Sequence, residues 1–152
     1  MQNITWENYL EESKLNLKNA NHLAYVTIVL LKEKRLLVKI LMDLHKSAVS
    51  IIKAYLHYEA SFGRVRITSD PIKNLNIFLV KIAPRYLKEN EIESLLKILK
   101  TTRQHKDAPL EFVRREKLVI FNDGKYEFLT SEIIKDLSSK LGRIISSFPV
   151  SK

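Results

Sequence analysis

The chain has 152 residues, 45% hydrophobic and 28% charged, with 26 lysines and arginines against 17 aspartates and glutamates for a formal net charge of +9. That length suits a single domain, 1–152, with a sizeable buried core. Cysteine is absent, which excludes disulfides, thiolate nucleophiles and cysteine-held zinc or iron–sulfur centres.

Thr5 caps a first helix predicted to run to about Leu31, with Trp6, Leu10, Ser13, Leu17, Ala20, Ala24, Thr27 and Leu31 on one seam. Several of these side chains are small or polar, so a neighbouring helix can approach closely. After a polar break at 32–35, a second helix is predicted from about Leu36 to Glu59. Its stripe is Leu37, Leu41, Leu44, Ala48, Ile51 and Tyr55, widened by Ile40 and Ile52 as in a central helix with more than one partner. A connection over 61–71 contains Gly63, and Asp70 followed by Pro71 reads as the cap and first residue of a third helix. Pro84 is expected to kink or end that helix near Ala83.

Asn90 with Glu93 resembles a capping box for a fourth helix ending near Thr102, whose buried positions are Ile92, Leu95, Leu96 and Leu99. The period then changes. Two β-prone runs over 117–129 flank Asp123-Gly124, the signal of a tight hairpin. Thr130 or Ser131 caps a last helix with the seam Ile134, Leu137, Leu141, Ile144 and Phe148. The expected fold is all-α: an antiparallel helical bundle of about five helices, with one small β-hairpin before the last helix.

Motifs of known chemistry are missing. No glycine-rich nucleotide loop, serine-hydrolase elbow or H-E-x-x-H zinc signature occurs, and the carboxylates have no E-x-x-H spacing. The reading therefore assigns no metal and no cofactor. Nor do aromatic residues alternate with basic ones along the chain, as a base-stacking platform would want. The N-terminus lacks a basic segment followed by an apolar run, and the apolar stretches are too short to span a bilayer, so a cytoplasmic protein without membrane contact is expected.

The basic surplus favours an anionic partner, either RNA or an acidic protein. Between Lys97 and Lys117 stand seven basic residues against three acidic ones. Lys97, Lys100 and Arg103 share a helix face by their spacing, and Lys106, Arg114, Arg115 and Lys117 extend the cluster as anion- or RNA-binding candidates. His105 lies among them, where an imidazole beside cations can act as general acid or base on a phosphodiester. His105, Arg103 and Lys100 are thus the candidate catalytic residues. The alternative for His105 is simpler, a side chain satisfying the last carbonyls of its helix.

Two long N-terminal helices, the second containing LHKSAVSIIKAYLHYE, and a later helix ending in basic residues and a histidine resemble the HEPN domain family over roughly residues 5 to 105. The resemblance implies a small helical bundle, a homodimer, and in active members a metal-independent ribonuclease site made from an arginine and a histidine. Here Arg103 precedes His105 more closely than in that motif, and Lys100 stands at the family's spacing. Lysine lacks the planar bidentate fork of arginine. The leading expectation is a non-catalytic interaction module, dimeric through the seam of the first helix and the broad face of the second. Its basic face would bind RNA or an acidic partner. A ribonuclease, or an antitoxin-type or assembly scaffold, are the alternatives.

Overall fold

A computed structural model of the chain describes residues 5–26, 34–114 and 117–150. Helix α1 spans Trp6–Val26 and α2 spans Lys34–Ser61; Thr27 and Leu31 of the predicted first seam lie outside the described residues. Leu10, Ser13, Leu17, Ala20 and Ala24 are buried, as their period requires, and α1 packs along α2. At the contact, Ser13 Oγ donates to the Ser47 carbonyl and Ser47 Oγ to the Ser13 carbonyl, each at 2.8 Å. Each hydroxyl thereby spends its single proton on the opposite backbone, which only a close approach of two small side chains permits. The α1 seam thus receives a neighbouring helix of the same chain, the close approach that its small residues predict.

The six stripe positions of α2, with Ile40 and Ile52, are all buried, and α2 touches α1, α5 and α6. It ends in a Schellman motif: Gly63, at φ 72°, donates to Ala60 at 3.0 Å and Arg64 donates to Glu59 at 3.1 Å. Asp70 Oδ1 then accepts from the Ile72 N–H at 2.9 Å and opens α3, Pro71–Ile77.

Pro84 acts differently from the expectation. The chain stays helical beyond it, but widens to a π-helical stretch over Phe78–Ile82 before α4, Ala83–Tyr86. Proline has no N–H to return to the fourth residue back, and its ring would press on that carbonyl. Slipping the hydrogen bonds by one residue removes both conflicts, and the Ala83 N–H accordingly donates to Phe78, five residues back.

Helix α5 spans Glu89–Asp107, starting before the Asn90–Glu93 box and ending beyond Thr102. Glu91 is the residue that folds back, its Oε1 accepting from the Lys88 N–H at 2.8 Å. The polar run after Lys100 remains helical because Thr101 and Thr102 lie on the buried face. Thr102 Oγ1 donates to the Ile98 carbonyl at 2.9 Å, which satisfies that buried hydroxyl.

The expected hairpin is present as β2, Lys117–Asn122, and β3, Lys125–Leu129, joined at Asp123 and Gly124 with φ of 51° and 73°. Two consecutive left-handed residues make the type I′ turn whose twist suits a hairpin. A strand absent from the sequence reading, β1 at Leu110–Arg114, pairs antiparallel with β2 to give a three-stranded sheet in the order β1-β2-β3. The fold is thus mostly helical with a small antiparallel sheet, where a lone hairpin had been expected. Thr130 Oγ1 accepts from the Ile133 N–H at 3.2 Å and starts α6, Ser131–Ser146.

The predicted α6 seam is buried, including Phe148 just past the helix end. Phe148 meets Trp6 at 5.5 Å, Tyr55 at 4.9 Å and Tyr58 at 5.2 Å between ring centroids. Tyr55 Oη donates to the Ile144 carbonyl at 2.9 Å, satisfying its buried hydroxyl.

Candidate nucleic-acid interface

The basic residues singled out from the sequence fall into two groups. Helix α5 buries Ser94, Leu95, Ile98, Thr101 and Thr102 and leaves Lys97, Lys100 and Arg103 exposed. A three-residue step turns a side chain by about 60° on an α-helix, so the three cations form a slowly winding ridge. None of them forms an ion pair with a carboxylate among the described residues. Lys106 lies about half a turn round from Lys97. It is near enough to His45 of α2 that, after burial, its charge helps to lower the His45 pKa.

Arg114 and Lys117 form the second group. They are cross-strand partners at one end of β1 and β2, and both are exposed. The Lys117 ammonium also lies 5.8 Å from the centroid of the Phe128 ring. Arg115 lies outside the described residues.

His105 is neither free nor bonded to its helix carbonyls. Its Nδ1 meets Glu111 Oε2 of β1 at 2.7 Å, with side-chain exposures of 22% and 7%. The pair fixes the imidazole plane and ties the end of α5 to the first strand. Arg103 does not join it, because two residues apart on a helix is a turn of about 200°. Lys100 leaves the helix about 140° from His105. Within one chain the three candidate catalytic residues therefore do not converge; the partner that His105 does have is Glu111, six positions away across the Pro109 bend.

Further residues escaped the sequence reading. Arg85, Lys88 and Arg143 line an open cleft of about 690 Å³ between the start of α5 and the α6 end, with Ser139 and Ser147 beside them. They come from separate elements, so no local charge run marks them. The outer face of the sheet was missed as well. Alternation in register puts Leu110, Phe121 and Tyr126 in one cross-strand row, Phe112, Val119 and Phe128 in the next, and Arg114 with Lys117 in the last. Finding these rows needs β1, whose pairing is not a local property of the sequence.

Among the described residues, no group of three or more histidine, aspartate or glutamate side chains is placed to hold a metal ion. No helix among them is long and apolar enough to cross a membrane. Comparison with known proteins adds no relative: no family model, curated protein or solved structure matches the chain.

Proposed function

We propose that this protein is a non-catalytic RNA-binding module that holds its ligand mainly through the phosphate backbone. The reading rests on one observation, the exposed ridge of Lys97, Lys100 and Arg103 on a regular helix with no carboxylate partner among the described residues. Such cations are placed to neutralise phosphates and release counterions, which gives affinity without sequence readout. We read the scaffold as an antiparallel helical bundle acting in the cytoplasm, as a homodimer, in line with the HEPN resemblance.

Fluorescence anisotropy with labelled RNA, measured across a salt series, tests the proposal. Replacing Lys97, Lys100 and Arg103 together by glutamine is expected to weaken binding to all sequences alike. It should also reduce the slope of log affinity against log salt by about 2, at roughly 0.7 per single-strand phosphate contact. An unchanged slope would remove the ridge from the interface, and equal competition by polyglutamate would identify a generic ion exchanger in place of an RNA binder.

A second reading, a HEPN-like metal-independent ribonuclease, is favoured by the His105–Glu111 pair, since a carboxylate that orients an imidazole is a common arrangement for general acid–base work. Incubation of end-labelled RNA in EDTA with wild type beside His105→Ala decides between the two. Cleavage by wild type alone would establish the enzyme; intact RNA in both lanes leaves the binding module.

A further inference from the structure

We propose that the outer face of the three-stranded sheet is a stacking platform for unpaired bases, which makes single-stranded nucleic acid the ligand class. This rests on the RNA-binding reading above and adds to it the part of the ligand that the α5 ridge does not contact.

The face is apolar and open. Tyr126 is 56% exposed, Phe128 53%, Leu110 50% and Phe112 36%, whereas Val119 at the centre is covered to 4%. Register places Phe112 and Phe128 on either side of Val119, and Phe121 beside Tyr126 with ring centroids 4.9 Å apart. Neighbouring strands are about 4.8 Å apart, so the aromatic rings form one contiguous surface. A contiguous exposed apolar patch on a small chain marks a contact surface.

The charge pattern selects among occupants. Arg114 and Lys117 close one end of the face, and Lys117 already sits against the Phe128 ring. Glu111 and Glu127 alternate to the inner side, leaving the described outer face with cations and no carboxylate. A second copy stacked on this face would bring another Arg114 and Lys117 into the same interface, with no carboxylate among the face's described residues to offset them. A strand of nucleic acid instead supplies phosphates to the cations and flat apolar bases to the rings. A duplex does not, because its bases are already stacked and their faces hidden.

The experiment compares a fluorescein-labelled oligouridylate with an abasic phosphodiester of the same length and charge, using wild type and the double variant Tyr126→Ala/Phe128→Ala. Both side chains are more than half exposed, so the variant is expected to melt with wild type by circular dichroism. The platform predicts that wild type prefers the oligouridylate and that the variant loses about tenfold or more of that affinity. Binding of the abasic strand should be unchanged. Equal wild-type affinity for the two strands would overturn the platform and leave backbone binding standing, whereas no binding to either would sink both. A wild-type dimer that this variant converts to monomer would also overturn it, since the face would then join two copies.

Discussion

Glu59 has no exposed surface, yet its carboxylate is held by Tyr86 Oη at 2.6 Å and Arg64 Nη1 at 2.7 Å, with Arg85 Nη1 at 3.6 Å. Burial pushes its pKa up, but the hydrogen bonds from Tyr86 and Arg64 and the charges of Arg64 and Arg85 together outweigh burial, and the net shift is downward. A folded pKa below the unfolded one means that the unfolded chain binds more protons. The stabilisation is present above the unfolded value of 4.5 and is lost as pH falls through the folded one. Glu59→Gln should therefore cost about 1.5–3 kcal/mol at neutral pH, the range for hydrogen bonds to a charged group. In urea titrations the gap to wild type should close in acid below 4.5; a gap independent of pH would show that the carboxylate charge is irrelevant. None of this was legible in the sequence, where Glu59 is one more acid at a helix end. Its partners arrive from a turn and from α4, as Glu111 reaches His105 from a strand. Side-chain pairs that cross elements leave no periodic trace.

Elements were more legible than residues, and for a physical reason. A stripe such as Leu37, Leu41, Leu44, Ala48, Ile51 and Tyr55 repeats because one helix face must leave water, so burial can be read before any partner is known. Caps carried by a side chain next to the helix, Asp70 and Thr130, were equally visible. Boundaries failed where a buried face is built from polar residues, as at Thr101 and Thr102, and β1 failed because its pairing, not its composition, makes it a strand. The α1–α2 contact separates close approach from hydrogen bonding. Ser13→Ala removes one reciprocal bond and should cost about 1 kcal/mol. Ser13→Leu must also push the helices apart, which adds about 1–3 kcal/mol of overpacking. Denaturant midpoints of the two variants check the order; equal midpoints would mean that the helix spacing is not set at this point.

At the scale of the whole molecule, the aromatic hub joins the start of α1 to the residues after α6. Trp6 is the sole tryptophan, stacked on Phe148 and edge-on to Tyr58 at 5.4 Å. Phe148→Ala would empty the centre of this hub and should cost about 3–5 kcal/mol. Thermal melting gives the loss, and a shift in Trp6 emission toward that of hydrated indole would locate it. A large loss with unaltered emission would place the damage elsewhere. The basic surplus, legible from composition, is distributed by the fold over an α5 ridge, a strand end and a cleft; the first two were visible as a run of residues, and the cleft, drawn from separate elements, was not. The Trp6–Phe148 stack has a consequence for descent with modification. A smaller ring at position 6 leaves a gap against Phe148 that a bulkier side chain at 148 can help to fill, so selection acts on the two codons together. In diverging lineages of this gene, Trp6 and Phe148 should be inherited, exchanged and lost as a pair.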